Sequence, residues 1–401
     1  MTNTTKMKKA GIFLLGLLLM LGCNSDDVDI DPDMDDEPPI SLCEGLYPCD
    51  NFTFVAHIPL TTFNAVSGND SWGWTDPETN AEYVLMGVDN GTVFIDISAP
   101  EAPVYLGKLP TATVSSLWRD VKVYNNHAFI VSEATDHGMQ VFDLTRLRSV
   151  AAPPETFTTD AHYTEFGDAH NIAVHEDSGF AYAVGTETYG GGPHFIDISD
   201  PLNPVPAGGY AADGYTHDAQ IVSYNGPDID HVGKEIFIGS NLDEVVIVDV
   251  SDKDNPVQLS AVSYPNFAYT HQGWLTEDHA YFILGDEGDE TNNGFNTRTL
   301  IFDFSDLDQP LYYESYLGPT PAIDHNGYVK GSLFYLANYT SGVRVIDISS
   351  IENFNEIGYF DTYPDNDTPS FNGVWNVYPF FESGHIVLSD MDSGLFVIRQ
   401  D

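Results

Sequence analysis

The sequence predicts an all-β chain folded as a seven-bladed β-propeller, closed by an N-terminal strand that pairs into the last blade. Three observations carry this expectation. A short apolar run ending in Asp recurs with a period near 50 residues. Four short β-type runs fit within each period, set apart by turn residues. The final period stops after its third strand, and a strand of the missing kind stands ahead of the first.

The recurring run opens with Val93-Phe94-Ile95-Asp96-Ile97-Ser98. It returns as Val141-Phe142-Asp143-Leu144-Thr145, Phe195-Ile196-Asp197-Ile198-Ser199 and Ile247-Val248-Asp249-Val250-Ser251. Two further copies are Ile301-Phe302-Asp303-Phe304-Ser305 and Val345-Ile346-Asp347-Ile348-Ser349, and a degenerate seventh is Leu395-Phe396-Val397-Ile398-Arg399. β-Branched and aromatic residues suit a pleated, half-buried surface, and the chain holds 22 Tyr and 24 Phe. No segment sustains a 3.6-residue period, so helices are expected to be few. Each repeated Asp stands at a strand end before a turn, where its carboxylate can accept local backbone N–H bonds.

The other strands of a unit follow in order. A turn containing Pro leads to runs such as Pro103–Leu109 and Pro256–Val262, then comes a polar start to a new strand, then a run such as Ala280–Leu284 or Leu333–Ala337. One such unit cannot cover its own two faces. Stacking units around an axis covers them, and ring closure protects the end blades. Asn51–Ile58 resembles the fourth strand of other units and is expected to complete the last blade. A β-solenoid is the rival fold, but its coils are shorter than this period.

The chain is expected to divide into a signal peptide (1–22), an acidic disordered tether (23–42) and the propeller (43–401). Lys6, Lys8 and Lys9 precede an apolar run, Ile12–Leu21, too short for a comfortable membrane span. The run ends in Met20-Leu21-Gly22-Cys23, which resembles a lipobox, with Met20 in place of the usual Leu. That resemblance implies lipidation of Cys23 and a membrane anchor. Asn24–Ile40 is rich in Asp and Pro and poor in apolar residues, the composition of a flexible tether. Asn24-Ser25-Asp26-Asp27 resembles the acidic signal that sends some lipoproteins to the outer face of the outer membrane.

The formal charge is −47, and removing residues 1–22 removes three Lys and no acid, giving −50. Such a surface repels nucleic acid and anionic lipid headgroups and attracts cations. Cys43 and Cys49 are the cysteines left after Cys23. In an exported chain two close cysteines read as a disulfide, and with no His nearby they make a poor metal set.

The Val-Ile-Val-Asp-like run looks like the LVIVD repeat, and the wider arrangement resembles the choice-of-anchor B family of bacterial surface proteins. The residues carrying the wider likeness are Cys43…Tyr47-Pro48-Cys49, Thr270–Asp278, Leu284-Gly285-Asp286-Glu287, Asp324-His325-Asn326, Ala337–Gly342 and Tyr378–Phe381. The resemblance implies a propeller-like module at the cell surface and supplies no reaction.

Positions that open successive units are polar: Trp72, Arg119-Asp120, His170-Asn171, His217-Asp218, His271-Gln272, His325-Asn326 and Asn372-Gly373. The His spacings of 47, 54 and 54 follow the blade period. The strand that opens a blade is the innermost one, so His170, His217, His271 and His325 are expected to converge on one channel mouth. Arg119, Asp218 and Asp324 are expected there too. Converging imidazoles and carboxylates suit a transition metal or acid–base chemistry. Equally, each His can be a structural hydrogen-bonder, repeated because the blade is repeated. Asp286, Glu287 and Asp289 lie in the densest acidic loop, and oxygen-rich clusters suit Ca²⁺, although EF-hand spacing is absent. Trp72 and Trp74 suit either core packing or stacking on a sugar at the mouth.

The chain contains no Gly-x-Ser-x-Gly, Walker loop, His-Glu-x-x-His or dinucleotide fingerprint. The expectation is therefore a non-enzymatic surface module. It would bind a protein, glycan or small ligand at the channel mouth, with a divalent cation such as Ca²⁺ or a transition metal. The rival is a metal-dependent hydrolase built on the four histidines.

Overall fold

The computed structural model describes residues 41–401, so the signal peptide, Cys23 and nearly all of the tether lie outside the described residues. The described chain forms seven sheets arranged as propeller blades, antiparallel except where Glu155–Thr156 adds a short parallel edge to blade 1. Blade 1 opens at Gly68–Thr75, blade 2 at Arg119–Tyr124, blade 3 at Asn171–His175 and blade 4 at Asp218–Ser223. Blades 5, 6 and 7 open at Thr270–Leu275, Gly327–Lys330 and Val374–Tyr378.

Burial explains why the repeated run is apolar without alternation. The second strand of blade 1, Glu82–Val88, is buried at all seven positions, because a neighbouring blade covers each face. The outer strand of blade 5, Leu311–Leu317, has no buried residue. Between blades 1 and 2, Phe94 stacks on Phe142 with ring centroids 4.5 Å apart. Between blades 7 and 1, Val387, Leu395 and Val397 pack with Val84, Met86, Val93 and Ile95. The closing interface is thus made as the others are. Each such buried side chain contributes roughly 1.5–3 kcal/mol relative to exposure.

Closure follows the sequence expectation. Phe52–Pro59 pairs antiparallel with Gly394–Gln400, from Phe52↔Gln400 to Pro59↔Gly394. Upstream, Leu42–Cys43 and Tyr47–Asp50 form a hairpin that extends blade 6 through Cys49↔Phe360. Cys43 and Cys49 are disulfide-bonded across that hairpin, with Cα atoms 5.8 Å apart. The entering chain therefore spans two blades, a clasp that the strand pattern did not foretell.

All six repeated Asp residues fix turns. Each Oδ1 accepts the N–H two residues on: Asp96 from Ser98 (2.8 Å), Asp143 from Thr145 (2.9 Å), Asp197 from Ser199 (2.9 Å), Asp249 from Ser251 (3.0 Å), Asp303 from Ser305 (2.9 Å) and Asp347 from Ser349 (2.9 Å). The acidic loop instead contains the one α-helix among the described residues, Asp289–Asn293.

A belt of side chains ties the inner strands to one another around the axis. Val121 N–H donates to Asp70 Oδ2 (3.2 Å), Ile172 N–H to Asp120 Oδ2 (2.7 Å), and Asn171 Nδ2 to Asp218 Oδ2 (2.7 Å). Leu275 N–H donates to Gln220 Oε1 (2.9 Å), and Gly327 N–H to Gln272 Oε1 (2.8 Å). Asn326 Nδ2 donates to Asn376 Oδ1 (3.3 Å), and Asn376 Nδ2 to the Ser71 carbonyl (2.6 Å). Every blade junction, the closing one included, carries one such bond. The belt also corrects the alignment of the unit starts. Blade 1 aligns at Asp70 rather than Trp72, and blade 7 at Trp375-Asn376 rather than Asn372-Gly373. Both strands carry a register shift near these positions, between Gly68 and Ser71 and between Val374 and Asn376.

Candidate functional site at the channel mouth

The inner strands of blades 3 to 6 deliver His170, His217, His271 and His325 to one end of the axis. The rings form a contiguous arc, with successive centroids 4.0, 4.3 and 4.4 Å apart. Glu133 closes one end, its Oε1 lying 2.6 Å from His170 Nδ1. Trp375 closes the other, its ring centroid 4.6 Å from that of His325. His217 Nδ1 lies 3.3 Å from the His271 carbonyl oxygen, and His325 Nδ1 bonds the Trp375 carbonyl oxygen. A carbonyl partner assigns the proton to Nδ1 and leaves the Nε2 lone pair free.

Glu287 completes the set. Its Oε2 lies 3.5 Å from His271 Nε2 and its Oε1 lies 3.6 Å from His325 Nε2. Tyr339 donates its hydroxyl to Glu287 Oε1 at 2.8 Å. One ligand atom each from His217, His271 and Glu287 falls within a 4.8 Å grouping. Burial, reinforced by the neighbouring imidazoles, pushes His217 and His271 well below the usual histidine range. Burial holds His325 at about 3. These three rings are neutral at physiological pH, the state in which an imidazole ligates a metal. Burial, with the charge of Asp286, raises Glu287 to about 7 against the Tyr339 bond. His271 Nδ1 is buried with no hydrogen-bond partner.

Above the arc lies a cavity of about 230 Å³ whose walls include Trp118, Glu133, Tyr215, Tyr269, Glu287 and Trp375. Below it, Asp70, Arg119, Asp120, Asn171 and Asp218 line a space of about 20 Å³, room for a water-sized occupant.

The predicted residues separate accordingly. The four histidines come together. Arg119 stands in the wall of the lower space, donating to the Val88 carbonyl (3.3 Å) and Thr111 Oγ1 (2.9 Å) and contacting His137 Nε2 (2.9 Å). Burial lowers it to about 10, and it stays cationic at neutral pH. Asp218 lies in the belt beneath the arc, raised to about 8 by burial and by the charge of Asp120. Asp324 lines neither space. The acidic run divides: Asp286 accepts bonds from Tyr264 Oη, Ala268 N, Tyr269 N and Gly288 N, and Asp289 pairs with Arg298 Nε at 2.5 Å. Glu287 alone of the three reaches the mouth. Trp74 is buried, its Nε1 donating to Asn126 Oδ1 at 3.2 Å. Trp72 lies further down the channel wall beneath Lys122, whose Nζ stands 4.7 Å from the ring centroid. Neither tryptophan is at the histidine mouth.

Sequence reasoning missed Glu133, Trp118, Tyr215, Tyr269 and Trp375. A signal existed for Glu133. It follows the second strand of its blade, His127–Ser132, just as Glu287 follows Tyr281–Asp286, so the two carboxylates occupy the same phase of the repeat.

Residues 228–264 match the LVIVD repeat. The LVIVD match takes in Glu235–Asn241, Glu244–Asp249 and Val257–Val262, the second to fourth strands of blade 4. No curated protein matches the chain. Among solved structures, Kuenenia stuttgartiensis hydrazine synthase superposes with a TM-score of 0.56 at 13% identity, covering 80% of this chain and 93% of that one. A functionally unknown protein from Desulfotomaculum acetoxidans gives 0.53 at 13% identity, covering 76% and 87%. A protein from Lactobacillus plantarum gives 0.53 at 12% identity, covering 79% and 87%. At these identities the likeness is one of fold.

Proposed function

We propose that the protein is a non-enzymatic binding module of the cell surface. In this reading it captures a small ligand at the channel mouth through a bound divalent transition metal. The observation that carries the proposal is the grouping of His217, His271 and Glu287 within 4.8 Å beneath an aromatic-walled cavity. Two neutral imidazoles and a carboxylate match the donor preferences of Zn²⁺ and leave a coordination position for a ligand. The cavity of about 230 Å³ sets the ligand at about one sugar or one amino acid in size. None of its lining residues is a Ser, Thr, Cys or Lys that could act as a nucleophile. The anchoring half of the proposal is a lipid on Cys23 and display at the outer membrane, in the manner of the choice-of-anchor B proteins. Its support is the lipobox-like run and the acidic tether.

The deciding experiment is elemental analysis of the purified mature protein beside its His217→Ala/His271→Ala variant. One equivalent of a transition metal, lost in the variant, is expected. An equal metal content in both would remove the proposal. One feature favours a second reading, a metal-dependent hydrolase: two histidines and a glutamate are also a catalytic zinc set. Turnover of ester or phosphoester substrates, lost in the same variant, would decide for it.

A further inference from the structure

We propose that the far end of the channel is a second binding pocket, which takes one neutral pyranose ring between Trp72, Trp274 and an apolar wall from blades 3 and 4. It rests on residues other than those of the mouth and stands whether or not the mouth holds a metal. The inner strands run from the histidine end toward this one, and the belt lies between the two. Beyond the belt is a cavity of about 190 Å³, and none of its lining residues lines the upper cavity.

The cavity follows from an imbalance in side-chain size. Two positions on from a belt residue, the side chain returns to the same face of the strand. Blades 5, 6, 7 and 1 place Trp274, Tyr328, Tyr378 and Trp72 there. Blades 2, 3 and 4 place Lys122, Ala173 and Gln220 there. Large rings on one side thus face a methyl group on the other. Tyr328 is buried edge-on against both indoles, its ring centroid 5.8 Å from that of Trp72 and 5.0 Å from that of Trp274. The two indoles are only half-buried and line the cavity, so each keeps ring surface turned to it. The facing wall is Ala173, Val174, Ala219 and Ile221.

The charges select a neutral ligand. Lys122 Nζ lies 4.7 Å from the Trp72 centroid, but it donates to Asp120 Oδ1 (2.6 Å), Asp70 Oδ2 (3.3 Å) and the Val121 carbonyl (3.3 Å). An anion finds no free cation here and meets Glu176, which is exposed at the rim and has no ion-pair partner among the described residues. A cation would have to displace the ammonium already held over Trp72. Burial raises the Tyr378 hydroxyl and the Glu176 charge adds to it, so that carboxylate faces blade 7 from blade 3.

Two groups remain to orient a ligand. Gln220 is 8% exposed and gives its Oε1 to the Leu275 N–H, while its Nε2 has no partner among the described residues. Gln220 therefore offers a donor where Glu176 offers an acceptor. A pyranose with equatorial hydroxyls has two apolar faces of C–H groups and a polar edge. Its faces match the indoles and the aliphatic wall, since polarised C–H groups meet the negative face of an aromatic ring. Its edge matches Gln220 and Glu176, and the volume admits one ring.

The test is saturation-transfer NMR on the purified mature protein, stripped of metal, with cellobiose and N,N′-diacetylchitobiose, whose rings carry equatorial hydroxyls. Transfer to at least one of them is expected. Trp274→Ala should weaken binding by about tenfold. Trp274 also packs on Tyr328, so Ala173→Leu serves as a second variant that fills the cavity from the opposite wall, and thermal unfolding checks that both variants fold. Ala173→Leu should abolish transfer. His217→Ala/His271→Ala should keep it, which separates this pocket from the mouth. No transfer to either disaccharide in the parent, or undiminished transfer in Ala173→Leu, would overturn the proposal. Indole competing as tightly as the disaccharides bind would overturn the assignment to a sugar.

Discussion

His271 Nε2 stands 3.5 Å from Glu287 Oε2, although 16 positions separate the two residues in the chain. The antiparallel register of blade 5 makes the contact. Thr270 pairs with Asp286 at the end of the blade, so the next residue on each strand turns toward the axis. A register shift between Thr270 and Gly273 accompanies this turn. His271→Ala should lower Zn²⁺ affinity by at least about tenfold, by titration against a competing chelator. His170→Ala should cost less, because that ring is engaged by Glu133.

The belt predicts a purely structural lesion. Gln272→Ala leaves the buried N–H of Gly327 without its acceptor, at a cost of about 1–3 kcal/mol in chemical denaturation. Metal content at the mouth should not change.

Ring closure rests on apolar packing more than on the disulfide. Phe396 is fully buried between blades 6 and 7, touching Tyr47 and Phe360, and Phe396→Ala should cost about 3–5 kcal/mol. The bond between Cys43 and Cys49, six positions apart, closes a short loop, and its loss in a double Cys→Ser variant should cost about 2 kcal/mol.

Acid should weaken the contact between blades 3 and 4. Burial alone would raise the Glu235 carboxyl, but bonds from His175, Tyr182 and Lys253 outweigh it and hold the group at about 2, below its ordinary 4.5. The folded state then binds fewer protons than the unfolded one. The contribution is complete above about pH 4.5 and is lost as pH falls toward about 2. Glu235→Gln should flatten that part of the stability profile, and at pH 7 it should destabilise by about 3 kcal/mol because Lys253 loses its partner.

The anchor predicts a change of compartment. Cys23→Ser should move the protein from the membrane fraction to the soluble one, with its thermal unfolding unchanged. Retention in the membrane would exclude lipidation at this position.

The blade count, the closing strand and the turn-fixing aspartates were legible because each depends on local chemistry repeated at a fixed period. Phe94 and Val248 must be apolar wherever a second blade covers the strand, and Asp249 needs only the N–H of Ser251. The four histidines were legible for the same reason, since equal phase in a ring means a common end of the axis. Other assignments depended on register and on contacts between blades. The starts of blades 1 and 7 lie two and three positions from where the sequence pattern put them. The acidic run could not be divided by composition. Strand geometry sends Glu287 to the mouth, Asp286 into four local bonds, and Asp289 into its pair with Arg298. Periodicity therefore determined the architecture and one arc of the site. The tertiary structure decided which carboxylates face that arc, because a side chain's direction is set by strand pairing and by the neighbouring blade, neither of which is local in sequence.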